Sequence, residues 1–170
     1  MTLTRLLTVG LVFGAGVLAV IAMSDSSNQH FRAKATTSAT VAAVWQVWTD
    51  VPNWPEWDTG LKQASLDGEL ALGATGTLLP QSGPRSTFTV SEWDPQSSYA
   101  FTTDLPLAQL TVRRTILRAA EGAVMFEHEV FFSGFLGSVF GWVLGRDFRD
   151  QLPKVVQAVA ARAEKMEQTK

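Results

Sequence analysis

The sequence predicts an α+β domain: a curved antiparallel sheet of about seven strands, with one long amphipathic helix lying across it. An N-terminal membrane segment precedes the domain. Three observations lead there. From Gly60 to about residue 133, short apolar segments are separated by turn residues at nearly regular intervals, as in an antiparallel sheet. From about Leu136 onward, apolar residues recur at helical spacing. Leu6 to Met23 is uncharged throughout. A sheet with one apolar face and a helix with one apolar stripe bury both by packing together.

In chain order, residues 1–23 come first. LLTVGLVFGAGVLAVIAM (6–23) is an 18-residue apolar run, which meets the lower limit of a spanning helix, about 17–25 residues. Arg5 and the terminal amine precede it, so the positive-inside rule keeps the N-terminus cytoplasmic and places the rest outside. Val20-Ile21-Ala22 also suits a signal cleavage site. The expectation is a membrane-anchored domain outside the cytoplasm, or a secreted or periplasmic one. Gly10 and Gly14 form a small-xxx-small pair, which fits either close helix pairing or the ordinary glycine content of membrane helices. Residues 24–30 are polar and read as a linker, leaving 31–170 as the domain.

Phe31, Ala33 and Ala35 alternate, giving a first strand over about 30–36. Ser38 or Thr40 is placed to cap a helix over about 39–49, whose apolar face holds Val41, Val44, Trp45 and Trp48. Pro52 opens a second, short helix and Pro55 keeps it short. Strands are expected at 61–67, 73–80, 85–93, 97–104, 108–119 and 123–133. Asp67-Gly68, Ser82-Gly83-Pro84, Asp94-Pro95 and Glu121-Gly122 supply turns. In the last two strands Leu110, Val112, Arg114 and Ile116 share a face, as do Val124, Phe126, His128, Val130 and Phe132. The other face of the last strand, with Met125, Glu127, Glu129 and Phe131, is expected to be exposed. In the final helix the stripe Leu136, Val139, Phe140, Val143, Leu144, Leu152, Val155, Val156 and Val159 faces the sheet, and Pro153 is expected to kink or split it near Gln151. Gly134, Gly137, Gly141 and Gly145 either leave room above a cavity or let the helix approach the sheet closely.

Composition narrows the chemistry. Fourteen Lys and Arg against sixteen Asp and Glu, in 170 residues, argue against nucleic-acid binding. With no cysteine there is no disulfide, thiolate metal site or cysteine nucleophile, and two histidines cannot make a three-His zinc site. No phosphate-cradling glycine motif, nucleophile elbow or His-Glu-x-x-His occurs. No metal or cofactor is expected. The hydrophobic fraction is 46%, with six Trp and ten Phe.

Two sets of residues stand out. Trp45, Trp48, Trp54 and Trp57 crowd one short stretch. Trp45 and Trp48 read as packing. Trp54 and Trp57 suit either packing or the mouth of a ligand site, where an indole N–H would orient a polar head. The second set is polar but on inward faces: Glu92, if Phe88 and Val90 point inward, then Arg114 and His128. Buried charges need partners. These three either bridge one another, sit at strand ends, or anchor a ligand carbonyl or hydroxyl beside Phe126 and Val130.

The segment VWQVWTDVPNWPEWDTGLKQASLDG (Val44–Gly68), the strand end Val90-Ser91-Glu92-Trp93-Asp94-Pro95 and the ending GFLGSVFGWVLGRDFRDQLPKVVQAVAARAE (Gly134–Glu164) resemble the START-like (SRPBCC) superfamily, in its polyketide cyclase/dehydrase-like branch. The likeness spans about 30–166. It implies a helix-grip fold with an apolar cavity between sheet and last helix, and a small hydrophobic ligand: a lipid, quinone or polyketide-like ring system. Binding is the expected activity. A cyclase or dehydratase using His128 as base and Arg114 to stabilise an enolate would use the same cavity. An interaction module presenting Trp54 and Trp57 to a membrane partner is the third reading.

Overall fold

The computed structural model describes residues 29–120 and 122–169. The expected membrane segment 6–23, and most of the linker 24–30, lie outside the described residues. Among the described residues no helix is long and apolar enough to cross a membrane.

Seven antiparallel strands form one sheet in the order β1-β7-β6-β5-β4-β3-β2. They are β1 (His30–Thr37), β2 (Leu61–Leu66), β3 (Thr75–Pro80), β4 (Ser86–Asp94), β5 (Ser98–Leu105), β6 (Ala108–Ala120) and β7 (Ala123–Ser133). Helix α1 (Val41–Thr49) and a 3₁₀ turn (Val51–Glu56) join β1 to β2, and α2 (Gly137–Gln168) closes the chain. The α+β helix-grip architecture is as expected, and the alternation of β1 holds, with Phe31, Ala35 and Thr37 buried and Arg32, Lys34 and Thr36 exposed.

Helix α1 is capped by Thr40, whose side chain accepts from the Ala43 N–H at 3.3 Å. Its buried face is Ala43, Val44, Val47 and Trp48. The far end of α2 is tied to the β1–α1 turn by Glu164, which accepts from Thr37 Oγ1 at 2.8 Å and from the Ser38 N–H at 2.9 Å. Those bonds to the ionised form hold its pKa below the usual carboxylate range.

Pro153 does not split α2, which runs unbroken from Gly137 to Gln168. Buried residues on both sides of the proline, Gly145 and Leu152 before it and Val155, Val156 and Val159 after it, hold both halves on the sheet. The lost backbone hydrogen bond is therefore outweighed. The glycines serve close approach. A Cβ on Gly145 would stand 2.5 Å from the Phe31 ring, and one on Gly137 would stand 3.3 Å from the Phe132 backbone. Gly134 lies before the helix with φ +87, and a Cβ there would meet Leu107 and Ala108 backbone at 2.9 Å.

The back of β7 differs from expectation. Met125 is exposed, but Glu127 and Glu129 are only 7% and 8% exposed. Because β7 lies between β1 and β6, basic side chains of both neighbours cover its acids. Glu129 meets His30 at 3.0 Å, Arg32 at 2.9 Å and Arg113 at 3.6 Å, and Glu127 meets Lys34 at 3.5 Å.

Candidate functional site

The inner face of the sheet converges on Arg114. Position 114 of β6 pairs with His128 of β7 on one side and Tyr99 of β5 on the other. Since directly paired residues share a face, all three side chains enter the core, and each is at most 3% exposed. The α1–3₁₀ connection supplies the opposite wall. Its prolines turn the chain within a few residues, so that Trp48, Trp54 and Trp57 all point back to the sheet, with exposures of 0%, 0% and 2%.

Trp54 and Trp57 are thus interior residues and present no surface to a partner. The Arg114 guanidinium lies 4.3 Å from the Trp54 ring centroid and 4.8 Å from that of Trp57, with Tyr99 and Phe101 at 5.3 and 5.5 Å. Trp54 in turn stacks on Phe88 and Phe101 at 5.7 and 5.2 Å. Such faces attract a desolvated cation.

The backbone carbonyl of Trp48 is the polar centre of this cage. It accepts from Tyr99 Oη at 2.7 Å, Trp54 Nε1 at 2.9 Å and Arg114 at 3.3 Å, and Arg114 also donates to the Tyr99 hydroxyl. Among the described residues no carboxylate pairs directly with Arg114. Burial lowers its pKa, and Asp58 is the carboxyl group whose charge opposes that shift. Asp58 has its own pKa raised by burial, against the pull of the Gly60 N–H at 3.0 Å and the Arg114 charge. Burial also pushes the Tyr99 phenol up to about 12.

His128 sits in rings on three sides: Trp48 at 5.5 Å, Phe126 at 5.9 Å and Trp57 at 6.1 Å between centroids. Burial first, and the Arg114 charge second, hold its pKa well below the ordinary histidine value. The imidazole is neutral at pH 7. Four buried atoms in this cluster have no hydrogen-bond partner: Trp48 Nε1, Trp57 Nε1, Arg114 Nε and His128 Nε2. Three are obligate donors, and the fourth donates or accepts according to tautomer. Each of these N–H groups would be matched by an acceptor such as a carbonyl, phenolate or carboxylate oxygen.

Of the residues singled out from the sequence, Trp54, Trp57, Arg114, His128 and Phe126 come together here. Val130 is buried one pair along β7, in the neighbouring cluster with Phe31, Phe132 and Leu152. Glu92 does not join them. The β4–β5 register shifts between Val90 and Glu92. This bulge inverts the alternation, so Trp93 turns inward against Trp45 and Tyr99, and Glu92 turns outward. There Glu92 takes Arg113 Nε at 2.9 Å, which lowers its pKa. Tyr99, Asp58 and the Trp48 carbonyl were not legible as site groups. Strand pairing brings Tyr99, the sole tyrosine of the chain, to Arg114, and the packing of α1 and the 3₁₀ turn onto the sheet brings the Trp48 carbonyl and Asp58.

Residues 28–164 match the family described as polyketide cyclase / dehydrase and lipid transport. No curated protein matches the chain. Solved structures similar in fold include a hypothetical protein of Helicobacter pylori, with TM-score 0.68, 9% identity, and coverage of 80% of this chain and 88% of that one. A START superfamily protein from Mycobacterium smegmatis gives TM-score 0.60 at 13% identity, covering 81% and 99%. The Zhui aromatase/cyclase from Streptomyces sp. R1128 gives 0.58 at 18% identity, covering 82% and 95%.

Proposed function

The chain belongs to the polyketide cyclase/dehydrase and lipid transport family, and from that premise we propose that it binds a small hydrophobic molecule through an acceptor group on its polar end. A lipid, quinone or polyketide-like ring system fits this description. The observation that carries the reading is the set of unpartnered buried atoms around Arg114. Leaving a buried donor unsatisfied costs about 1–3 kcal/mol, so a core with several in one place gains from a ligand that accepts from them. The rings of Trp48, Trp54, Trp57 and Phe126 supply its apolar surroundings. Because these side chains fill the space around Arg114, the ligand enters by displacing the segment that carries Trp54 and Trp57. Residues 6–23 tether the chain to a membrane, with the domain on the non-cytoplasmic side.

The test is native mass spectrometry of the full chain with organic extraction, followed by titration with the anionic aromatic probe anilinonaphthalene sulfonate. A co-purifying hydrophobic molecule, and a probe affinity at least about tenfold weaker in Arg114→Met (1.4 kcal/mol,), are expected. Equal probe affinity in both proteins overturns the role of Arg114. Turnover of the recovered molecule that stops in His128→Ala would replace binding with catalysis.

A further inference from the structure

The first two turns of α2, with Phe135 just before them, leave an apolar face uncovered. Trp142 is 78% exposed, Phe135 65%, Val143 57% and Val139 46%. Leu107, 71% exposed, stands beside them, because its carbonyl accepts from the Leu136 N–H at 3.1 Å. The sequence stripe assigned Val139 and Val143 to the sheet. The glycines decide otherwise: Gly137, Gly141 and Gly145 are the buried face of this part of the helix, so Val139, Trp142 and Val143 turn to solvent, while Phe140 and Leu144 pack beside Phe132. Five large apolar side chains in one place mark an interaction surface.

Where the chain enters the domain identifies what covers it. Gln29 directly precedes β1, and its side chain hydrogen-bonds Ser138 Oγ in the first turn of α2. Its carbonyl accepts from the Phe132 N–H at 2.9 Å. The apolar run 6–23 is therefore joined, through residues 24–28, to the end of the domain that carries the patch. Five extended residues reach about 17 Å at most. That is well short of the diameter of a domain of this size, whose radius of gyration alone is about 14 Å. A tether of that length holds the Gln29 end toward the membrane and cannot turn the opposite sheet edge to it. Along the helix, Arg146 and Arg149 follow Trp142 at i+4 and i+7 and are exposed, with Asp147 and Asp150 beside them. Trp and aliphatic side chains backed by arginine suit the headgroup boundary, where an interfacial helix buries its apolar face by about 5–10 Å.

We propose that Leu107, Phe135, Val139, Trp142 and Val143 dock this domain into the surface of the bilayer that anchors it, with the N-terminal half of α2 lying in the headgroup boundary. The proposal rests on the tether reading of residues 6–23. Docking opposes free swinging of the domain and fixes the α2 edge against the lipid.

The chain has no native cysteine, so single sites can be labelled cleanly. Trp142→Cys, Val139→Cys and, in the β2–β3 turn near the opposite sheet edge, Leu72→Cys would carry a nitroxide in the full chain. The labelled chain is mixed with vesicles of phosphatidylcholine and phosphatidylglycerol, separated by flotation, and read for collision with oxygen against a water-soluble nickel chelate. Labels at 142 and 139 should favour oxygen several-fold over the label at 72. Val139→Cys keeps Trp142 in place, so loss of the indole cannot account for its result. If the chain floats and all three labels are equally open to nickel, docking is overturned while the tether stands. If the chain stays with the aqueous fraction, both are overturned. Spin–spin broadening at 142 without lipid would assign the patch to a second copy and overturn docking as well.

Discussion

Arg114 and His128 are direct cross-strand partners on the inner face of β6 and β7, and the guanidinium helps keep its partner uncharged. A cation and a titratable base, both at most 3% exposed, share one cage of rings, and among the described residues no carboxylate forms an ion pair with either.

Stability should fall with acidification because of His128. Its folded pKa is depressed, so below about 6.5 the unfolded chain binds a proton that the folded chain refuses. The contribution is fully present above about pH 6.5 and is lost as pH falls toward the folded value, with a slope of up to about 1.4 kcal/mol per pH unit. Asp58, with its raised folded pKa, works in the opposite direction above 3.8. Urea unfolding of the protein and of His128→Gln between pH 7.5 and 5 cancels Asp58 in the difference. The wild-type midpoint should fall more steeply, and parallel curves would refute the neutral buried imidazole.

Arg114→Met should cost little stability. A buried cation without a close anion is expensive, and an apolar replacement of similar volume removes that expense. Lost cation–π contacts and the bonds to Tyr99 and Trp48 act against it. The unfolding free energy is expected to stay within about 1 kcal/mol of wild type or to rise. A loss of several kcal/mol, measured by denaturant titration, would make Arg114 a structural keystone instead.

On the outer face, Glu129 should matter more than Glu92. Glu129 has a 10% exposed side chain and meets three basic groups; Glu92 is 46% exposed and meets Arg113. Glu92→Gln should cost at most about 1 kcal/mol after solvent screening. Glu129→Gln should cost more, about 1–3 kcal/mol, because its partners stay clustered around a neutral group. Equal losses would contradict the burial of Glu129.

Two glycines should tolerate a methyl group differently. A Cβ at Gly76 would sit 2.3 Å from the Ser65 backbone oxygen, and one at Gly145 would sit 2.5 Å from the Phe31 ring. Overpacking typically costs about 1–3 kcal/mol. Gly145→Ala belongs in that range and should be partly relieved by Phe31→Leu. Gly76→Ala should exceed it, since a paired strand cannot move aside. Thermal melts of the three variants decide.

Strand positions were legible because an antiparallel sheet writes its period of two and its turns locally. The expected strands 108–119 and 123–133 differ from β6 and β7 by one residue at most. The inward faces of Arg114 and His128 followed from the same period. The period failed at Glu92, where a bulge inserts one residue, and at Glu127 and Glu129, where the neighbouring strands supply bases to both acids. On α2 the helical stripe failed at Val139 and Val143, where Gly137, Gly141 and Gly145 face the sheet instead.

By itself the sequence determined the class of fold, the order of its elements, the family resemblance and the apolar face on which Arg114 and His128 lie. Those depend on local periodicity and on turn and cap residues near in the chain. Only the tertiary structure decided that Trp54 and Trp57 enclose Arg114, that the Trp48 carbonyl gathers three donors, that Glu92 leaves the site and that Trp142 faces outward. Each of these depends on which strand lies beside which, and on how closely a helix approaches a sheet, distances that no spacing along one chain encodes.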